Sequence, residues 1–289
     1  MRVLILGGDG MLGHRLLKDL GRSHEVRVTL RREPAAYAAY NLFNSQNSYV
    51  GVDVRLTDRL VNVVSDFRPE VVVNAVGVVK QRPDAFDPIP NLEINALLPH
   101  RLAVICRAIR SNLIHISTDC VFSGRAGLYA ETDQPDPIDV YGHTKLLGEV
   151  VGPGCITLRT SIIGRELSRK NSLLEWFLAQ RQVVRGYVNA IYSGFTTIEM
   201  SRIVNKLITQ FPVSSGMYHV SSEPISKFDL LNLIKDKLKL SVELIRDYEF
   251  KCNRSLNSAR FRRDFTYTPP SWEEMIEELA AETRTEVTS

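Results

Sequence analysis

Short apolar runs and stretches with helical apolar spacing alternate along the first 160 residues of the chain. Continuous apolar runs of about 4–8 residues are typical of strands buried in a parallel sheet, whereas apolar residues that recur every three to four positions are typical of helices. The predicted strands cover residues 3–6, 26–30, 48–52, 70–74, 113–116 and 155–158. The predicted helices cover residues 14–20, 57–67, 91–110 and 140–147. This alternation predicts an α/β fold with a doubly wound parallel sheet of the Rossmann type.

Beyond residue 160 the alternation loosens. Helices are predicted at residues 168–182, 197–209, 227–238 and 272–281, and a strand that returns to the sheet at 217–220. We therefore expect a first domain of residues 1–164, to which residues 193–224 return, and a smaller α/β region made of residues 165–192 and 225–289.

Composition and charge exclude several classes of protein. The 289 residues are 44% hydrophobic, which is enough for a core, and 36 Lys and Arg against 33 Asp and Glu give a formal net charge of +3. Because the chain has no run of five like charges, neither nucleic acid nor an anionic membrane is the expected partner. A modest basic excess suits a small phosphate-bearing molecule.

The cysteines and the N-terminus point to the compartment. The four cysteines are scattered without a Cys-x-x-Cys pair, so the sequence indicates neither a metal site nor a disulfide framework. The apolar run before Gly7 has four residues, too short for a signal peptide, and no stretch of 18 apolar residues occurs. We expect a cytoplasmic protein that contains no metal.

A glycine-rich turn follows the first predicted strand and opens the first predicted helix. The turn reads Gly-Gly-Asp-Gly-Met-Leu-Gly over residues 7–13, so that two dinucleotide-binding glycine spacings overlap. Glycines let the backbone approach a pyrophosphate, whose charge is stabilised by the N-terminal amides of the helix. An ordinary tight turn is the alternative. The predicted cofactor contacts here are Gly7, Gly10, Met11, Leu12 and Gly13.

The residues after the second predicted strand bear on the choice of cofactor. NAD enzymes usually carry an acidic residue there, whereas an arginine receives the 2′-phosphate of NADP. This chain has Arg31 and Arg32, followed by Glu33. The sequence therefore favours NADPH and leaves NADH open, as well as surface arginines without a ligand.

Two further strand ends are predicted to reach the cofactor, because ligands of this fold bind at the carboxyl ends of the strands. Asp53 and Val54 follow the third strand and are placed for the adenine. Ala75 and Gly77 follow the fourth strand and are placed for the ribose. Capping of the next helix is an equal alternative for Asp53.

Tyr141 and Lys145 are four residues apart on a predicted helix and therefore share one face. A phenol ordinarily holds its proton to about pH 10, and a neighbouring ammonium favours the phenolate. The pair is predicted to exchange a proton near neutral pH. Taken alone, this spacing is more often that of a surface tyrosine stacked on a lysine stem.

Thr118 is the third catalytic candidate. It follows the fifth predicted strand, where a hydroxyl is placed to donate to the carbonyl oxygen of a substrate. Capping by Ser117 or Thr118 is the alternative.

These features, in this order, resemble the extended short-chain dehydrogenase/reductases, and within them the dTDP-4-dehydrorhamnose reductase group. The strongest match lies in residues 117–124 (Ser-Thr-Asp-Cys-Val-Phe-Ser-Gly), 129–133 (Tyr-Ala-Glu-Thr-Asp) and 141–149 (Tyr-Gly-His-Thr-Lys-Leu-Leu-Gly-Glu). Weaker matches continue through residues 158–161, 216–220 and 254–258, so that the resemblance spans nearly the whole chain.

The resemblance implies an NADPH-dependent reductase of a nucleotide-linked 4-keto-6-deoxyhexose that makes sugars for bacterial surface polysaccharides. Tyr141 would donate the proton and also contact the cofactor, Thr118 would bond the same oxygen, and Lys145 would bind the nicotinamide ribose. The small C-terminal region would bind the nucleotide sugar. The residues assigned to the substrate are Asp119, Cys120, Val121, Arg165 and Arg254.

The chain departs from the group at three places near the sugar: the group has tyrosine at Cys120, tryptophan at Ile162 and a Pro-Thr pair at Phe195-Thr196. These departures favour a UDP-linked 4-keto-2-acetamido-6-deoxyhexose over dTDP-linked 4-ketorhamnose. Two alternatives stay open, a nucleotide-sugar epimerase or dehydratase with tightly bound NAD(P), and a non-catalytic NADP-binding subunit like the partner of methionine adenosyltransferase. A homodimer also stays open.

Overall fold

Strands and helices alternate through the first part of the chain. The structure, a computed structural model, describes residues 1–79, 86–168 and 170–288. The strands are β1 (Arg2–Leu6), β2 (Glu25–Thr29), β3 (Ser48–Tyr49), β4 (Val71–Asn74), β5 (Asn112–Thr118), β6 (Cys155–Thr160), β7 (Ile162–Ile163), β8 (Val183–Tyr187), β9 (Ala190–Tyr192), β10 (Phe195–Thr196), β11 (Gly216–His219), β12 (Ile225–Ser226), β13 (Glu243–Asp247) and β14 (Cys252–Asn253). The α-helices are α1 (Met11–Leu20), α2 (Thr57–Phe67), α3 (Pro88–Asn91), α4 (Leu98–Ile109), α5 (Val140–Leu147), α6 (Leu173–Leu178), α7 (Thr197–Gln210), α8 (Lys227–Leu238), α9 (Ala259–Asp264) and α10 (Trp272–Thr288).

The main sheet has seven strands in the order β11-β6-β5-β4-β1-β2-β3. The pairs β1–β2, β1–β4, β2–β3 and β4–β5 are parallel. Strand β1 lies between β2 and β4, and its residues Val3 to Leu6 are fully buried, as expected for an apolar run at the centre of a sheet. The predicted doubly wound parallel sheet is confirmed, and so is the return of residues 217–220 to it.

The long helix predicted at residues 91–110 is helical but not uniform. A π-helical segment, Leu92–Leu97, separates α3 from α4. Pro99 lies in the first turn of α4 and has no N–H to bond the carbonyl of Asn95, four residues earlier. This missing bond gives a local reason for the wider turn.

The helix predicted at residues 168–182 is wrong in extent, because α6 covers only Leu173–Leu178. The Glu166 carboxylate accepts hydrogen bonds from the amides of Asn171 and Ser172, at 2.7 and 2.8 Å, and Ser172 then caps α6. These polar contacts hold the preceding loop out of the helix. The third strand is also shorter than predicted.

The chain divides into two compact units. The first unit contains Met1–Ser117, Asp139–Leu158 and Ser201–Met217. One part of its core joins buried side chains of β1, α2 and α4, among them Leu4, Leu60 and Leu102.

The second unit contains Thr118–Ile138, Arg159–Met200 and Tyr218–Ser289. Its small sheets are β10-β7, β12-β9-β14 and β13-β8. The largest fully buried side chains in it are Phe122, Phe177, Phe195 and Phe261. The predicted division into a cofactor domain and a substrate region stays a prediction. Among the described residues, no helix is long and apolar enough to cross a membrane.

Candidate active site

The glycine turn joins β1 to α1 through two close backbone contacts. Gly7 has a φ of +83°, which favours glycine, and its carbonyl accepts a 3.0 Å hydrogen bond from the Gly10 amide. A Cβ on Gly13 would lie 2.0 Å from that same carbonyl oxygen. The helix α1 therefore starts directly against the end of β1. Its cap residue, Gly10, has no side chain to bond the first-turn amides, and the first turn has no acidic residue.

This geometry fits a dinucleotide, because the positive end of α1 faces the carboxyl edge of the sheet with glycine on its approach. Met11 and Leu12 form the first turn of α1 and contribute backbone amides there. The assignment of these residues to the pyrophosphate stays a prediction.

Gly13→Ala should disrupt this turn. The new methyl group would lie within 2.0 Å of the Gly7 oxygen, so α1 has to move away from β1. We expect the free energy of unfolding to fall by about 1–3 kcal/mol and NADPH to give little thermal stabilisation. Thermal unfolding with and without NADPH measures both effects.

Gly10→Ala is the graded control for that substitution, because its Cβ would lie 3.2 Å from the same oxygen. The free energy of unfolding should fall clearly less in Gly10→Ala than in Gly13→Ala. Equal losses from the two variants would contradict the close packing of Gly13 on Gly7.

The two arginines lie where a 2′-phosphate is predicted. Arg31 and Arg32 follow Leu30 at the carboxyl end of β2, and both are exposed. Glu33 precedes the 3-10 helix Pro34–Tyr40. The arginines are therefore on the same edge of the sheet as the glycine turn, which follows the neighbouring strand β1.

Asp53 binds a neighbouring arginine. Its carboxylate accepts from the Arg55 guanidinium at 2.5 to 3.1 Å and from the Arg55 amide at 3.0 Å. These hydrogen bonds lower the pKa of Asp53. The alternative that Asp53 caps the next helix is wrong, because Leu56 is the cap of α2. Val54 packs half-buried against the core.

The loop after β4 is fixed by an asparagine whose role the sequence analysis missed. The Ala75 amide donates to the Leu6 carbonyl of β1 at 3.2 Å. Farther along, the Asn95 side chain accepts from the Val78 amide and donates to the Val78 carbonyl, both at 3.0 Å. Asn95 also donates to Thr144 of α5 at 3.4 Å, and its Oδ1 lies 3.4 Å from where a Gly77 Cβ would stand. The predicted ribose loop and α5 thus share one buried support. A polar residue within an apolar helical stretch was the available signal.

Tyr141 and Lys145 lie on α5, as predicted. The helix is capped by Asp139, whose carboxylate accepts from the Gly142 amide at 2.8 Å. Tyr141 is half-buried. Lys145 is 4% exposed, and its ammonium donates to the carbonyl of Ile116 on β5 at 2.6 Å. The lysine head group is therefore anchored near the carboxyl end of a central strand.

Burial changes the pKa of Lys145 and of a neighbouring histidine. Desolvation lowers its pKa from 10.5 to about 8, and the nearby Glu149 carboxylate acts in the opposite direction. The imidazole of His115 is fully buried, and burial together with the charge of Lys145 lowers its pKa. Lys145 is therefore mainly an ammonium below about pH 8, and the surroundings of His115 favour the neutral imidazole.

Thr118 ends β5, and its hydroxyl has two protein partners. It accepts from the Cys120 amide at 3.1 Å, so the capping alternative is what the structure has, and it donates to the Asp119 carboxylate at 3.2 Å. Thr118 and Asp119 are both buried. A catalytic role for Thr118 stays a prediction.

Of the residues assigned to the substrate, Asp119 and Arg254 are brought together. Burial raises the pKa of Asp119, and the charge of Arg254 opposes that shift. The Arg254 guanidinium also donates to the carbonyl of Phe122 at 2.8 Å. Cys120 is half-buried and Val121 is fully buried. Arg165 lies on the loop before α6, and its guanidinium binds the Glu175 carboxylate of α6 at 2.7 Å.

The sheet order, the glycine turn and the Tyr141–Lys145 pair define a nucleotide-binding protein of the extended short-chain dehydrogenase/reductase class. The family described as RmlD substrate binding domain matches residues 1–285, and the chain belongs to this family. The resemblance drawn from the sequence is confirmed.

The chain is also similar to individual proteins and solved structures. The dTDP-4-dehydrorhamnose reductase of Aggregatibacter actinomycetemcomitans is 27% identical over 97% of this chain and 98% of its own. Methionine adenosyltransferase 2 subunit beta of Danio rerio is 31% identical over 83% of this chain and 74% of its own. Among solved structures, dTDP-4-dehydrorhamnose reductase from Bacillus anthracis in complex with NADP has a TM-score of 0.77 at 22% identity, and covers 97% of this chain and 99% of its own.

Proposed function

We propose that this protein reduces a nucleotide-linked 4-keto-6-deoxyhexose with NADPH. The observation that carries the proposal is the buried Lys145, one helical turn after Tyr141 and bonded to the end of β5, in a chain of the RmlD family. Support for NADPH comes from Arg31 and Arg32 after β2 and from the NADP complex of the Bacillus anthracis reductase. NADH is the alternative cofactor.

When bound, the reduced nicotinamide supplies a hydride to the ketone carbon. Tyr141 donates the proton to the oxygen as negative charge develops on it, and positioned acid catalysis of this kind is typically worth about 10²- to 10⁴-fold in rate. Lys145 supports the proton transfer by its charge and binds the ribose hydroxyls. The glycine turn and the amides of Met11 and Leu12 hold the pyrophosphate.

In this proposal the Thr118 hydroxyl donates a hydrogen bond to the same substrate oxygen. Its hydrogen must then no longer be donated to the Asp119 carboxylate. A protonated Asp119 meets that requirement, because it would donate to the Thr118 hydroxyl instead of accepting from it. The Thr118 oxygen would then accept from Asp119 and from the Cys120 amide, and its own hydrogen would be directed to the substrate. The raised pKa of the buried Asp119 favours this state.

For the substrate we favour a UDP-linked 4-keto-2-acetamido-6-deoxyhexose, used in bacterial surface polysaccharides. Three positions that differ from the dTDP-4-dehydrorhamnose reductase group support this choice, namely Cys120, Ile162 and Phe195. Ile162 and Phe195 are direct partners in the β7–β10 pair, so two of the changes lie side by side. We assign Asp119, Cys120, Val121, Arg165 and Arg254 to the sugar and its diphosphate.

A non-catalytic regulatory subunit is the second candidate. It is supported by the 31% identity with the subunit of methionine adenosyltransferase from Danio rerio. Such a protein would bind NADP and turn over no sugar.

The test is an assay with NADPH and a panel of dTDP-, UDP- and GDP-linked 4-keto-6-deoxysugars. We expect stoichiometric loss of the reduced nicotinamide absorbance with one nucleotide class, UDP. Turnover with a dTDP sugar alone would overturn the preferred substrate. Conversion of a sugar without net NADPH oxidation would indicate an epimerase or dehydratase, and NADPH binding without any conversion would favour the regulatory subunit.

A further inference from the structure

Tyr37 connects the glycine turn to the arginine segment. It lies on the 3-10 helix Pro34–Tyr40 and is 5% exposed. Its hydroxyl accepts a hydrogen bond from the Arg32 amide at 3.1 Å and donates to the carboxylate of Asp9 at 3.3 Å. Asp9 is part of the glycine turn, so the hydroxyl bridges two loops that follow different strands.

The direction of this bridge is fixed by chemistry. An ionised carboxylate only accepts hydrogen bonds and a backbone amide only donates, so the Tyr37 hydroxyl has one way to satisfy both partners. Burial of the phenol raises its pKa, which keeps the proton in place over the physiological range. The ring is held separately by an edge contact with Phe43, at 5.5 Å between centroids.

The bridge fixes the separation between the glycine turn and the arginine segment. This separation matters more for NADPH than for NADH. The pyrophosphate and the 2′-phosphate of NADPH belong to one molecule, so the glycine turn and the arginines have to hold them at a fixed separation. NADH lacks the 2′-phosphate and makes no demand on the position of Arg31 and Arg32. Ordering the arginine segment before binding removes an entropy cost from NADPH binding alone.

We propose that Tyr37 is a specificity-determining residue that selects NADPH over NADH by fixing the Arg31–Arg32 segment to Asp9 in the glycine turn. This inference rests on the proposed function, in which the two arginines receive the 2′-phosphate. Tyr37 acts through its neighbours and is a positioning residue.

Tyr37→Phe tests the proposal, since it removes the hydroxyl and keeps the ring against Phe43. Tyr40→Phe is the matched control, because Tyr40 lies on the same 3-10 helix. Titration calorimetry with NADPH and with NADH gives both dissociation constants for each variant. We expect the Kd for NADPH to rise about tenfold in Tyr37→Phe, which corresponds to 1.4 kcal/mol. The Kd for NADH should stay within about twofold of wild type, and Tyr40→Phe should change neither.

The outcomes separate this inference from the function on which it rests. An unchanged Kd for NADPH, or an equal loss for both cofactors, would overturn the role of Tyr37 in specificity and leave the reductase proposal standing. A wild-type protein that binds neither cofactor, or binds NADH at least as tightly as NADPH, would overturn the cofactor assignment and this inference together.

Discussion

Tyr141→Phe is expected to lower kcat by about 10²- to 10⁴-fold and to leave the Kd for NADPH within about twofold of wild type. The substitution removes only the phenolic oxygen, which is the proposed proton donor to the developing alkoxide. The remaining ring keeps the packing of α5, whose start is fixed by Asp139 and not by Tyr141. Steady-state kinetics with the productive sugar of the panel, together with calorimetric titration of NADPH, measures both quantities.

Tyr248→Phe is the matched control for that loss, because this tyrosine is 58% exposed and belongs to the second unit. Its kcat should equal that of wild type. If Tyr141→Phe turned over at the wild-type rate, Tyr141 would have no place in the mechanism. If it lost NADPH binding as well, the phenol would be a cofactor contact first and a proton donor second.

Lys145→Met should reduce both catalysis and cofactor binding. The ammonium is proposed to stabilise the phenolate of Tyr141 and to bond the ribose, and hydrogen bonds to charged groups are worth about 1.5–3 kcal/mol. We expect the Kd for NADPH to rise by about 10- to 100-fold and kcat to fall by at least about 10²-fold. Because burial lowers the pKa of Lys145 to about 8, wild-type activity should also decline above that pH.

The same substitution isolates the cost of burying the charge. The folded pKa of about 8 lies below the ordinary value of 10.5, so between these pH values the unfolded chain binds more protons and wild-type stability rises with pH. Lys145→Met has no titrating group at this position. The free energy of unfolding of wild type relative to Lys145→Met should therefore rise by about 3 kcal/mol from pH 7.5 to pH 11. Denaturant unfolding at several pH values measures it, and a constant difference would contradict the desolvation of Lys145.

Much of the fold follows from local pattern. The predicted bounds of α2 and α8 are those observed, because buried apolar residues recur at helical spacing in each helix. The short strands β7 and β10 were missed, since two residues carry no periodicity. The helix predicted at 168–182 was too long, because amides of the loop before α6 donate hydrogen bonds to the Glu166 carboxylate and override the helical spacing.

Part of the candidate site was also identified from local sequence, and part was missed. The glycine turn, the arginines and the Tyr141–Lys145 pair each lie within a few residues of sequence, so their spacing was enough to identify them as candidates. Tyr37 was missed because its partner, Asp9, is distant in the chain. Asn95 was visible as a polar residue in an apolar helical stretch, but its contact with the distant Thr144 was not. No periodicity records such contacts, and only the folded chain brings them together.

In the proposed reaction a hydride passes from NADPH to the ketone carbon of a nucleotide-linked sugar and stays there. The most direct measurement is a turnover with NADPH that carries deuterium at the transferred position of the nicotinamide, followed by mass and NMR analysis of the sugar. We expect one deuterium at C4 of the product for each NADPH oxidised. A converted sugar without deuterium at C4 would contradict the proposed reaction.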